Sequence, residues 1–360
     1  QDSVMYDMST WSAPLAYNLT AYSVRQEVEG TTAPIDEAPA PRSGVVTPNA
    51  RYAFVVEWEQ RHAPEALSRL WKRGYRVRAA ATPFTVEGRA FGAGSLIVLL
   101  GRNPEKATPT ADMQAVAEAA GVEIVGLNTG RTSEGPDLGS GNNAPVQQPS
   151  VGLLVDRPFS TYASGQLWYL FDQETELPIT RIRASTLQQS AASAGGYTRD
   201  GTAHLQDVDV LVLPGGSRLG TVFDSTQIGA LRDWVRGGGT LVGTEESARF
   251  LTDQASGLTS VEAVRDTAGP RIGPYTAYAA REDSAGLGNI PGAALDGVVD
   301  TTHPLAFGVG ERVYSLKYGT AALEPSADLQ AAAHYARDAN DLLVSGYASR
   351  RNLEQLAGNA

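Results

Sequence analysis

From residue 51 onward, short apolar runs alternate with stretches whose apolar positions recur every three to four residues. This is the signature of strands interleaved with amphipathic helices. RYAFVVEW reads as a strand. APEALSRLWKRG follows as a helix with Leu67, Leu70 and Trp71 on one face and Gly74 placed to end it. YRVRAAA and GSLIVLL are two further strands, the second apolar enough to be buried on both faces. TPTADMQAVAEAAG is a second helix, with Thr108 as N-cap before Pro109 and an apolar stripe of Met113, Val116, Ala117 and Ala120. VEIVGL closes this first series.

A second series starts at SVGLLVDRP. It continues with the helix SGQLWYLFDQE, on which Leu167, Leu170 and Phe171 share a face, and a strand near TRIRAS. VDVLVLPGG is a nearly unbroken apolar run suited to a central parallel strand. The helix DSTQIGALRDWVRGG, the strand TLVGTE and the helical turn ESARFL complete the alternation. An irregular stretch to about residue 310 then precedes three β-like segments, RVYSLKY, LQAAAHYA and DLLVSGY. No internal repeat is visible. The fold class expected from this alternation is α/β: a small α/β layer followed by a second α/β series built around a central parallel strand.

Two segments break the pattern. GTTAPIDEAPAPRSG, residues 30–44, has the proline and small-residue content of an extended linker. NTGRTSEGPDLGSGNNAPVQQPS, residues 128–150, is long and rich in Gly, Asn, Pro and Ser, which leaves a domain boundary and a functional loop both open. The domains expected are therefore 1–29, too short to bury its own aromatic residues, the linker 30–44, a small α/β domain over 45–146, and a larger domain over 150–360.

With 360 residues the chain has room for two or three domains. Its net charge of −11 and pI near 4.9, with no basic cluster to offset them, would repel a phosphate backbone, so nucleic acid is not an expected partner. The longest apolar run, SLIVLL, is far shorter than the ~20 residues of a membrane span. The absence of cysteine excludes disulfides, thiolate nucleophiles and thiolate metal sites together.

Among candidate chemistries, RHAPEAL sets His62 and Glu65 at the His-x-x-Glu spacing of a zinc site, with His204 as the available third ligand. Two imidazoles and one carboxylate would leave a coordination position open for water. The competing reading is structural: Pro64 and Glu65 start a helix, where proline lacks no needed donor and glutamate meets the positive end of the dipole. LPGGSRLG, residues 213–220, could present backbone N–H groups to an anion, or its glycines could simply supply positive φ at a crossover turn. It lacks the lysine of a phosphate-binding loop, and VGLNTGRTSEG is not a dinucleotide fingerprint.

The order strand, LPGG loop, helix, GGTLV strand, tight turn and helix resembles the class I glutamine amidotransferase-like fold, which implies a small α/β domain followed by a doubly wound, flavodoxin-like domain over 150–360. In active members the turn after the GGTLV-type strand carries a cysteine; here it reads Gly243, Thr244, Glu245, Glu246. A broader resemblance rests on seven segments in serial order: MYDMSTWSAPLAYNLTAY, FGAGSLIVLL, EGPDLGSGNNAPV, SGQLWYLFDQ, DVDVLVLPGG, GGTLVG and THPLAFGV. Together they are similar to the C-terminal half of secreted bacterial zinc carboxypeptidases of the carboxypeptidase A-like class.

That resemblance implies a fragment at both ends, with residues 1–29 the tail of a preceding peptidase domain. The zinc, the catalytic machinery and the peptide substrates belong to that upstream domain, and the location is secreted or periplasmic. This stretch is then a non-catalytic accessory region with no cofactor of its own, its Trp11, Pro14, Leu15 and Tyr17 facing the peptidase domain. Two alternatives are a glycan- or peptide-binding module and a hydrolase using Ser247, His303 and Asp300. The hydrolase would draw on DTTHPL, which resembles the His-Pro-Glu of active amidotransferases but has Leu305 in third place. Against it, Ser247 falls inside the helical turn, where Glu246 and Ser247 can cap a helix and His303 and Pro304 can shape a turn.

Overall fold

A computed structural model describes residues 13–17, 19–26, 30, 36–37, 42–185, 205–253, 256–265, 272–327 and 329–360. The chain is mixed α/β and divides into two compact units, Pro41–Ser260 and a second made of Gln1–Ala40 with Val261–Ala360. No helix among the described residues is long and apolar enough to cross a membrane.

The larger unit holds two sheets. The first contains β1 (Gly44–Val46), β2 (Ala53–Val56), β3 (Val77–Ala79), β6 (Leu96–Leu99), β7 (Glu123–Leu127) and β8 (Ala144–Val146), in the order β1-β7-β2-β6-β3-β8. Only β1 and β7 pair in parallel; the other pairings are antiparallel. Between β3 and β6 a short hairpin is formed by β4 (Phe84–Val86) and β5 (Arg89–Phe91), turning at Glu87 and Gly88 with φ of 50° and 76°. Positive φ at both central residues matches the right-handed strand twist.

The two-residue period of the strands sorts their side chains into two cores. Phe54, Val56, Leu96, Val98 and Ile124 meet α1 (Ala63–Lys72) and α2 (Pro109–Ala120), on which Leu70, Met113 and Val116 are wholly buried. Ala53, Val55, Ile97, Leu99, Val125 and Leu127 point the other way, onto Phe84, Val86 and Phe91 of the hairpin and Leu138 of the long loop. The Gly-rich segment after β7 is therefore part of a core, and it ends in β8 of the same sheet. Gly74 ends α1 as foreseen: its N–H reaches the Trp71 carbonyl and that of Tyr75 the Leu70 carbonyl, a Schellman closure. Thr108 stands at the N-cap of α2, but its hydroxyl makes no capping bond.

The second sheet has four parallel strands, β9 (Val151–Val155), β10 (Ile179–Arg183), β11 (Val210–Leu213) and β12 (Thr240–Gly243), ordered β10-β9-β11-β12. One face packs on α4 (Ser225–Arg236) through Leu231, Ile228 and Trp234. The other packs on Leu167 of α3 (Thr161–Tyr169) and on Phe171. Leu170 departs from the expected apolar face and is 45% exposed, because Leu170–Glu174 winds as a wider π-helical turn that rotates it away from the sheet. Asp224 caps α4 by accepting from the N–H groups of Thr226 and Gln227, and the Gln227 side chain accepts from the Asp224 N–H in return.

In the smaller unit, β13 (Gly292–Val299) is flanked by β14 (Arg312–Lys317) on one side and by β15 (Ala333–Tyr335) and β16 (Leu343–Tyr347) on the other, all antiparallel. The stretch expected to be irregular up to about residue 310 thus contains the central strand of this sheet. Its sequence, GAALDGVV, has little β-branched character, but nearly all of it is buried, and packing overrides propensity. The charge of Asp296, 1% exposed, is met by a two-pronged contact from Arg312 on the neighbouring strand. Four short helices lie in this unit among the described residues: one over Ala13–Ala16, and α6 (Arg281–Leu287), α7 (Ala339–Leu342) and α8 (Arg350–Leu356), while α5 (Glu246–Leu251) belongs to the larger unit.

In the larger unit Glu176 joins α1 to the segment after α3, accepting from Lys72 Nζ at 2.8 Å and from Arg69. The Lys72 hydrogen bond and the Arg69 charge hold its carboxyl below the ordinary value of 4.5. A depressed carboxylate stabilises the fold above its unfolded pKa, and that contribution is lost as pH falls through the folded value. Glu176→Gln should lower stability at neutral pH by about 1 kcal/mol or less. Urea titrations at descending pH should show the variant and the parent converging on the acid side.

Candidate functional site

The three turns that follow β9, β11 and β12 are tied to one another at the C-terminal edge of the parallel sheet. Ser160 N–H donates to the Gly215 carbonyl at 2.8 Å and Ser217 N–H to the Pro158 carbonyl at 3.1 Å, joining the first turn to the LPGG loop. Thr244 N–H donates to the Leu213 carbonyl at 3.0 Å, carrying the ladder one residue past β12. Open α/β sheets place their ligands beyond the carboxyl ends of the strands, so this edge is the first place to look for a site.

The chain then enters α5 (Glu246–Leu251) almost without a connecting loop: Ser247 N–H reaches the Thr244 carbonyl and Ala248 N–H the Glu245 carbonyl. The helix sits directly on the strand end, since a Cβ at Gly243 would fall 3.0 Å from the Ala248 nitrogen. So abrupt a reversal forces its apex, Glu245, to φ 52° and ψ −125°, a region that glycine usually occupies.

The Glu245 side chain lies against the LPGG loop. A Cβ on Gly215 would come within 2.0 Å of Glu245 Oε2 and 3.0 Å of its Cβ, and one on Gly216 within 2.8 Å of the Pro158 carbonyl oxygen. Neither glycine has positive φ, which corrects the sequence expectation. They are needed because no Cβ fits, and the left-handed residue of the loop is Arg218, at φ 56°.

Ser247 is fully buried, and its hydroxyl donates to the Pro214 carbonyl at 2.5 Å. It does not cap α5. His303 and Asp300 belong to the other compact unit. There His303 Nδ1 accepts from the Leu305 N–H at 3.2 Å, capping the turn Pro304–Ala306, and Asp300 accepts from the hydroxyl and N–H of Thr302. Those two bonds, the hydroxyl first, hold the Asp300 carboxyl below its ordinary range.

His62 and Glu65 do lie close, with 3.4 Å between Nδ1 and Oε2, at the start of α1. Glu65 is also engaged by Arg69 at 2.8 Å, and the segment has Pro64 in the first helical turn. His204 and Trp11 lie outside the described residues. Among the described residues no group of three or more metal-binding side chains is assembled. Comparison with protein-family models, with curated proteins and with solved structures finds no match.

The strain at Glu245 has a signal in the sequence: a non-glycine residue stands between a strand and a helix with no intervening loop. Glu245→Gly should relieve it and raise stability by ~1 kcal/mol, the strain recovered exceeding the added chain entropy. Gly215→Ala should lower stability by driving the Glu245 side chain out of its place. Thermal unfolding of both variants checks the pair of signs; a destabilised Glu245→Gly would mean the apex backbone carries no strain.

Proposed function

We propose that this chain is the non-catalytic accessory region of a secreted zinc metallocarboxypeptidase, carrying a class I glutamine amidotransferase-like domain that packs on or positions the peptidase domain. One observation carries the non-catalytic part. At the apex where that fold places a cysteine thiolate, the residue is Glu245, and its own side chain fills the space over Gly215. The neighbouring hydroxyl, Ser247, is buried and already donates to a backbone carbonyl, whereas a nucleophile needs a base within hydrogen-bond reach.

Two further features support the reading. The parallel order β10-β9-β11-β12, with helices on both faces, is consistent with the 2-1-3-4 start of a flavodoxin-like doubly wound sheet, which supports the amidotransferase-like reading. Near the N-terminus Tyr17, Leu19, Tyr22 and Val24 expose large apolar surface, 87% for Tyr22, as a segment does whose cover is another domain. On this reading the zinc, the peptide substrate and the hydrolytic water all belong to the peptidase domain, and the location is secreted or periplasmic.

Ser247→Ala should leave amide and ester turnover by the purified chain at the uncatalysed background, the same as the parent, while costing ~1 kcal/mol of stability for the lost buried hydrogen bond. Serine-dependent turnover would instead establish the hydrolase alternative. The reading frame upstream of Gln1 should encode a His-x-x-Glu zinc site within a few hundred residues. Its sequencing decides the carboxypeptidase assignment, which fails if that site is missing.

A further inference from the structure

A cleft of about 620 Å³ opens beside the six-stranded sheet, lined by Tyr52, Asn128, Thr129, Arg131, Asp137 and Ser140 with two glycines of the long loop. Its size is that of small-ligand sites, ~300–1,000 Å³. Tyr52 directly precedes β2 and Asn128 directly follows β7, so the ends of two paired strands hold the two sides of the cleft in register.

The Tyr52 ring rests on Gly130. A Cβ at that glycine would lie 2.1 Å from the ring, and one at Gly139 would lie 3.3 Å from its hydroxyl. With Tyr52 39% exposed, the hydroxyl end of the ring packs against the loop while part of the side chain remains reachable from the cleft.

The polar groups around it are fixed by the backbone. Glu87 accepts from the N–H groups of Asn128 and Thr129, Asp137 from the N–H and hydroxyl of Thr132, and the Gly130 carbonyl from the Leu138 N–H. Arg78 binds the carbonyls of Ser140 and Asn143, and the Asn143 side chain those of Asp137 and Leu138. The loop is thus ordered before any ligand arrives. The Tyr52 hydroxyl, the Asn128 amide and the Arg131 guanidinium meanwhile make no hydrogen bond or ion pair with a described residue.

We propose that this cleft is a saccharide-binding site that takes a pyranose ring of an oligosaccharide, stacked on Tyr52 and hydrogen-bonded by Asn128, Arg131, Asp137 and Ser140. An aromatic face suits the C–H-rich face of a sugar ring, and adjacent amide, guanidinium, carboxylate and hydroxyl groups suit neighbouring sugar hydroxyls, which both donate and accept. One Asp and one Arg leave the lining without net charge, which disfavours phosphate ligands. Tyr52 is the one large apolar side chain of the lining, which disfavours lipids. The inference goes beyond the accessory reading, since a scaffold with or without this site satisfies that reading equally.

The test is calorimetric titration of the full chain with cellohexaose, chitohexaose, xylohexaose, mannohexaose and a soluble peptidoglycan digest. Capped hexapeptides serve as the competing class. At least one saccharide should bind with Kd below ~1 mM. Tyr52→Ala should weaken it more than tenfold, Tyr52→Phe less than threefold, and Arg131→Ala, at an exposed position that cannot unfold the loop, by three- to tenfold. No binding by any saccharide, binding unchanged in both Tyr52→Ala and Arg131→Ala, or binding of peptides alone each overturns the proposal. None of these outcomes bears on the zinc site encoded upstream, so the two readings fail separately.

Discussion

In the larger unit β2, β6 and β7 run through the centre of a sheet with almost no side chain reaching water, so apolar material must cover both faces. Two helices cover one face. The other has no helix and relies on the β4–β5 hairpin and on Leu138, delivered by a loop that would otherwise be surface chain. Burying one leucine side chain is worth ~2 kcal/mol, enough to oblige the loop to return across the sheet before it forms β8. Tyr52 and the polar groups around it are held where they are by that return path.

The parallel sheet meets a different constraint at its C-terminal edge. Its last strand passes into a helix at Glu245, and the local geometry costs ~1–3 kcal/mol of backbone strain wherever it is not glycine. Such strain persists only when the surroundings enforce it. Here they do so through the Thr244 ladder bond, the close seat of α5 on Gly243 and the Ser247 bond to Pro214. The side chain at the apex is a carboxylate packed onto a glycine loop, and the bonds around it make this edge a structural junction between three strands.

Much of this was legible in the chain. The helical stripes of Leu67 and Leu70, and of Met113 and Val116, the buried run of LIVL, and the strand–loop–helix alternation around LPGG all follow from periodicity. Other features were not. The hairpin at Phe84–Phe91 is too short to show alternation, and β13 has the Gly and Ala content of a loop. Leu170 has the spacing of a core residue, but a π-helical turn rotates it outward. The Tyr52 cleft joins residues separated by about 80 positions, a proximity that no local pattern encodes.

The sequence by itself determined most of the strands and helices of the larger unit and which of their faces must be dry, because side-chain period is a property of the local backbone. It also determined that no thiol chemistry is available, because the chain has no cysteine. Only the tertiary structure decided what lies against what. Glu245 on Gly215, Leu138 under the sheet and Tyr52 on Gly130 are contacts between atoms far apart in the chain. Their fit depends on distances of a few tenths of an ångström, which packing fixes and periodicity does not.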